Sequence, residues 1–206
     1  VGCLTPTKMK DLVSRIVSEL DIPVHVHCHN DFGMATANAL SAMEAGAQCV
    51  DVAVNGLGER CGLPPLAEVV TALTNIYKVN GNWDLGMIPK LTELVNSFSK
   101  LDPNANQPIV GKNAFTHKAG LHVKAVAIEP KSYEAISPES LHRKRHFVID
   151  KYTGKSALNN RLNHIGISVS PKELDTILIE IKSHPEKLNW EDKQLISLTK
   201  SMGIKS

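Results

Sequence analysis

Apolar positions in the first third of the chain alternate between two periods. Leu12, Val13, Ile16, Val17 and Leu20 fall on one face of a helical repeat. They follow Thr5-Pro6, a capping hydroxyl and then proline at the first helical position. Asp21-Ile22-Pro23 ends that helix. Val24–His29 alternates with period two, which predicts a strand. Gly33 turns the chain out of it; Ala35, Ala39, Leu40 and Met43 give the next helix an apolar face, and Ala45-Gly46-Ala47 closes it. A second strand, Cys49–Val54, runs into the glycine-rich loop Asn55-Gly56-Leu57-Gly58-Glu59-Arg60-Cys61-Gly62. The helix beginning near Pro64-Pro65 carries Leu66, Val69, Val70, Leu73 and Ile76. Repeated strand–helix units predict an α/β fold with a parallel sheet, either open or closed into a barrel.

Farther along, Asn80–Gly86 predicts a loop, and Leu91, Leu94, Val95 and Phe98 mark another helix. Asp102–Pro108 is turn material, Ile109-Val110-Gly111 predicts a last short strand, and Phe115–Ala125 predicts a helix start. After Pro130 the character changes. Ser132–Lys151 reads as irregular and basic, and three helices follow, near Gly154–Ile165, Ser170–Ser183 and Trp190–Met202. Ser170-Pro171 is a start signal and His184-Pro185 a stop. This end reads as a small helical appendage.

Composition narrows the function classes. The 42% apolar and 21% charged fractions are those of an ordinary soluble globular protein. A net charge of +2 gives no reason to expect nucleic acid or a membrane surface as partner. The local exception is His142-Arg143-Lys144-Arg145-His146, where a solvated loop is the favoured reading over anion or coenzyme binding. Cys3, Cys28, Cys49 and Cys61 form no Cys-x-x-Cys pair, which suits a reduced, cytoplasmic compartment. No stretch has transmembrane length, and Val1 runs into a helix start without a leader, as in the middle of a longer protein.

The chemistry concentrates at Val24-His25-Val26-His27-Cys28-His29-Asn30-Asp31. Three of the nine histidines lie within five residues there. Side chains at i and i+2 of a strand share a face, so His27 and His29 suit two ligands of one metal ion, with Cys28 pointing away. Asp31 reads either as a carboxylate ligand of the same ion or, the favoured reading, as a partner behind the ligands that orients a histidine. The loop Asn55–Gly62 matches neither a phosphate-binding loop nor a dinucleotide fingerprint, so Glu59 and Arg60 read as structural. His117, Lys118, His122 and Lys124 read, on spacing alone, as a solvated helix face.

Three motifs together resemble one family: His27-Cys28-His29-Asn30-Asp31-Phe32-Gly33, then Asn55–Gly62, then Phe115-Thr116-His117-Lys118-Ala119-Gly120-Leu121-His122. The set is similar to the 2-isopropylmalate synthase/homocitrate synthase family of metal-dependent acyl-CoA condensing enzymes. The resemblance implies the C-terminal part of a (β/α)8 TIM barrel over residues 1–115, with Val24–His29 as its sixth strand. It implies a linker subdomain over 116–150 and a helical subdomain over 151–206. His27 and His29 match the metal ligands. His122 and Tyr133 match the catalytic histidine and tyrosine of homocitrate synthases, contributed by a neighbouring subunit, which implies a homodimer with exchanged C-terminal regions. Leu63, where isopropylmalate synthases carry Asn, and Ala119-Gly120 favour homocitrate synthase; His25, where several homocitrate synthases carry Glu, does not.

The implied reaction condenses acetyl-CoA with a 2-oxoacid, 2-oxoglutarate giving homocitrate, on a divalent zinc, manganese or magnesium ion. 2-Isopropylmalate and citramalate synthesis are the alternatives within the class. The acidic metal ligand and the oxoacid-binding residues would lie upstream of Val1, so the chain alone is expected to be inactive, serving at most as a binding or assembly module.

Overall fold

A computed structural model describes residues 1–118, 125, 126 and 128–204. They form two compact units, Val1–Ala114 and Phe115–Ser206.

The first unit opens with helix α1, Pro6–Glu19, capped by the Thr5 hydroxyl, which accepts the Lys8 N–H at 3.4 Å. Its Val13 is buried, and with Ala42 and Ala47 it forms a small core to which Met9, Val17, Val24 and Val26 add apolar surface. Strand β1 is His25–Val26, helix α2 is Ala35–Glu44 and strand β2 is Cys49–Val50. β1 and β2 pair in parallel with His25 opposite Cys49 and Val26 opposite Val50, so α2 is the crossover of a βα unit. Its buried face is made of Ala35, Asn38, Ala39 and Ala42, small enough for close approach. The α/β reading therefore holds.

Both ladders are shorter than the alternating runs that foreshadow them. Each strand has one neighbour among the described residues, and beyond it the chain continues in loop hydrogen bonds and one parallel bridge, Ala53 to Pro65. Helix α3, Leu66–Asn75, buries Ala67, Val69, Thr71 and Leu73. Helix α4 is Ile88–Ser99. Its Leu94 and Phe98, one turn apart, are exposed, so this face of the apolar stripe has no cover within the described residues. The expected strand at Ile109–Gly111 is a turn instead. Ile109 has φ 67°, which no strand accommodates, and Gly111 donates to the Gln107 carbonyl at 3.0 Å.

The second unit also departs from expectation at its start. Thr116–His117 is a strand, β3, not a helix start, and it pairs in parallel with β4, His146–Phe147. Three helices follow close to their expected spans: α5, Lys155–His164; α6, Pro171–Ser183; and α7, Asp192–Ser201. α6 begins with a capping box between Ser170 and Glu173. Ile149, Leu158, Leu162, Ile167, Ile177, Ile181 and Leu195, all at most 1% exposed, make the core of this unit. Trp190 closes it, its backbone N–H donating to the Ile149 carbonyl at 2.7 Å.

Candidate metal centre

The imidazole cluster sits where the chain leaves β1. Alternation persists past the strand: His25 and His27 are exposed, Cys28 between His27 and His29 is buried, and burial pushes its thiol pKa up. The rings of His27 and His29 lie edge to face, with centroids 5.0 Å apart. Their side chains converge as the i, i+2 spacing requires.

A carboxylate that the sequence did not single out organises two of the rings. Asp51 Oδ2 meets His27 Nδ1 at 2.7 Å, and Oδ1 meets His25 Nε2 at 2.8 Å. These bonds, that to His27 foremost, hold the Asp51 carboxyl below the usual carboxylate range. With Nδ1 of His27 engaged, Nε2 is the nitrogen left for coordination. The signal was in the register. His25 faces Cys49, so two residues on in a parallel ladder Asp51 comes level with His27.

His29 Nδ1 is buried and has no hydrogen-bond partner. Burying an unpaired nitrogen is costly, and a metal ion or a bound polar group would relieve that cost. Two imidazoles at this spacing, one fixed by a carboxylate and one orphaned, fit a borderline divalent cation. No group of three or more His, Cys, Asp or Glu among the described residues is arranged to hold a metal ion.

Asp31 points elsewhere. It accepts the Gly2 N–H at 2.8 Å and Arg60 Nε and Nη2 at 2.8 and 3.2 Å, so its pKa falls far below normal. It orients no histidine; it ties the N-terminal segment and the glycine-rich loop to the exit of β1. Gly2 is required there, because a Cβ would come within 2.3 Å of the His29 carbonyl oxygen. Asn30 donates its N–H to the Gly62 carbonyl at 2.9 Å and caps α2 through Oδ1, which accepts the Ala35 N–H at 3.0 Å. Arg60, at φ 56°, therefore has the structural role expected of it.

Beside this exit lies a cavity of about 430 Å3, whose lining includes Asn30, Thr36, Asn55, Leu63 and Glu68. Glu68 donates nothing and accepts the Thr36 hydroxyl at 2.6 Å; burial pushes its pKa up. Asn55, at φ 59°, donates to Asn96 Oδ1 at 2.8 Å and fixes the loop to α4. Neither Glu68 nor Asn55 carried a spacing signal.

In the second unit Tyr133 closes a 3-10 turn, Pro130–Ser132, and its side chain is exposed. His122 and Lys124 lie outside the described residues. His117 is not on a solvated helix face. It is inside β3, its Nε2 3.1 Å from the buried Glu134, whose other oxygen takes Arg145 at 2.8 Å. Lys118 pairs with the buried Asp150 at 2.5 Å.

Residues 1–95 match the HMGL-like family model, and residues 109–189 match the homocitrate synthase post-HMGL domain-like model. The chain belongs to the 2-isopropylmalate synthase/homocitrate synthase family. The homocitrate synthase of Sulfurisphaera tokodaii is 41% identical over 203 residues, covering 98% of this chain and 44% of that protein. The homocitrate synthase of Sulfolobus acidocaldarius is 40% identical, covering 98% and 43%. A probable 2-isopropylmalate synthase of Methanopyrus kandleri is 42% identical, covering 91% and 38%. The chain thus spans less than half the length of these family members. Within the family frame the three motifs fall at the exit of β1, in the loop clamped by Arg60, and from β3 onward. No helix of the described residues is long and apolar enough to cross a membrane.

Proposed function

We propose that this chain carries part of the active site of an enzyme condensing acetyl-CoA with a 2-oxoacid, 2-oxoglutarate giving homocitrate. One observation above all supports this: the His27–His29 pair, centroids 5.0 Å apart, with His29 Nδ1 buried and unpartnered. In this reading β1 and β2 are neighbouring strands of a TIM barrel, and the pair sits at their C-terminal end, where barrel enzymes place their chemistry.

In this reading His27 and His29 would hold a zinc, manganese or magnesium ion. An ion bound there would supply Lewis-acid activation of the oxoacid ketone. The residues of the chain do the rest. Asp51 accepts the His27 Nδ1 proton and keeps the Nε2 lone pair directed outward. The Asp31–Arg60 clamp holds the backbone of His29 and Asn30 in place. His122, assisted by Tyr133, takes a proton from the acetyl methyl group as general base. It acts on the barrel of a partner subunit in a cytoplasmic homodimer.

Leu63 supports 2-oxoglutarate as substrate, and the Methanopyrus relative supports 2-oxoisovalerate as the second reading. Two measurements test this. Metal analysis of the purified chain should show a stoichiometric divalent ion that His27→Ala removes; unchanged metal content in the variant refutes the ligand assignment. A kinetic screen of the full-length enzyme across 2-oxoacids should favour 2-oxoglutarate, and preference for 2-oxoisovalerate would reverse the substrate assignment.

A further inference from the structure

In the second unit one buried carboxylate joins three stretches of chain. Glu134 follows Tyr133, the residue that closes the turn Pro130–Ser132. Its side chain is 4% exposed, and its two oxygens are taken by different segments. Oε1 lies 3.1 Å from His117 Nε2, inside β3. Oε2 accepts Arg145 Nε at 3.0 Å and Nη2 at 2.8 Å, one residue before β4. The basic run His142–His146 is therefore not wholly the solvated loop expected of it. His142, Lys144 and His146 are exposed, but Arg145 turns inward and divides its donors between Glu134 and Glu139.

A tie of this kind is a costly way to gain stability. The carboxylate must be desolvated, and apolar side chains of similar volume hold such segments together as well or better. What charge-assisted bonds supply is geometry: a carboxylate between an imidazole and a guanidinium has few positions that satisfy both. That position is passed to the backbone. Glu134 and Tyr133 both donate their N–H groups to the Pro130 carbonyl, at 3.0 and 3.2 Å, so fixing Glu134 fixes the turn. Tyr133 is itself 47% exposed, so burial of its own ring does little to set its direction. On the other side of the bridge the chain runs on from His117 to His122. Glu134 thus joins the two segments that carry the acid–base pair assigned above.

We propose that Glu134 is a positioning residue for the condensation: through His117 and Arg145 it holds the turn that presents Tyr133 to the strand that leads to His122. The inference rests on the roles read above for His122 and Tyr133, and adds to them three side chains that act only through that turn.

Two measurements on Glu134→Gln in the full-length enzyme test it. The first needs no activity. Hydrogen exchange should be faster than in the wild type over residues 129–135, where the Tyr133 and Glu134 amides bond Pro130, and unchanged in α6. The second is steady-state kinetics. Glu134→Gln should lower kcat roughly tenfold or more and leave KM for the oxoacid unchanged. In a Tyr133→Phe background the same change should cost little further, because residues that act as a unit are not additive. Should Glu134→Gln not fold, Arg145→Lys, which keeps the charge and loses the planar fork, goes through both measurements with the same expectations. Unchanged exchange over 129–135, or an equal loss of kcat with and without Tyr133→Phe, overturns the inference and leaves the reaction standing. Full kcat in Tyr133→Phe alone overturns the role read for Tyr133, and the inference with it.

Discussion

Replacing Gly62 by alanine should unseat the backbone that carries His29 and Asn30. Gly62 has φ +85°, and a Cβ there would lie 1.9 Å from the Gly56 carbonyl oxygen. That oxygen accepts the Leu63 N–H at 3.1 Å, and the Gly62 carbonyl accepts the Asn30 N–H at 2.9 Å. The clash is with backbone, so no side chain can rotate away to relieve it. A left-handed conformation costs an L-residue roughly 1 kcal/mol, and each displaced hydrogen bond costs about 1 kcal/mol more. The total is roughly 3 kcal/mol. Gly33 is the control: it has φ +71° but nothing within 4 Å of its virtual Cβ, so Gly33→Ala should cost only the conformational part, about 1 kcal/mol. Urea unfolding followed by Trp83 fluorescence, in a Trp190→Phe background, reads the first unit alone. With a slope of about 2 kcal/mol per molar, Gly62→Ala should shift the midpoint by about 1.5 M and Gly33→Ala by about 0.5 M. Metal bound by the chain should fall in the first variant and persist in the second. Equal midpoints for the two variants would falsify the claim that this backbone contact sets the loop.

Two further outcomes are expected. Glu68 has a folded-state pKa raised by burial, so its ionisation costs stability as pH climbs from its unfolded value, about 4.3, through the folded one; Glu68→Gln should therefore raise Tm at about pH 8 and leave it nearly unchanged at about pH 4, and a gain of the same size at both would show that charge is not the cause. Ser170→Ala removes the capping box of α6 and should cost about 1 kcal/mol, recovered by Ser170→Asp; thermal melts of the two variants that coincide with each other would dismiss the cap.

The helices were legible because their information is local. Thr5-Pro6 and Ser170-Pro171 announce α1 and α6 through side chains that satisfy backbone N–H groups within one turn, and apolar residues spaced three and four apart mark the buried face wherever the helix comes to rest. The pairing of His27 with His29 was legible for the same reason: two residues along extended backbone share a face regardless of what surrounds them. The strand at Thr116–His117 was not legible, because its partner His146–Phe147 lies some thirty positions away and the intervening stretch gives no turn signal that would join them. The turn at Ile109, at φ 67°, contradicts the extended preference of a β-branched residue.

By itself the sequence determined the α/β order, the helix starts and the two converging imidazoles, all of which depend on residues within a few positions of one another. Tertiary structure decided which carboxylate serves which group. Asp31, next to the histidines in sequence, is drawn to Arg60 and Gly2, whereas Asp51, twenty-four positions beyond His27, is brought level with it by the register of β1 on β2. It also divided the basic run: His142, Lys144 and His146 stay exposed, whereas Arg145 is drawn onto the buried Glu134 eleven positions before it. Charge and spacing are written in the chain, but a site is made by distances between residues far apart in it, and packing alone sets those.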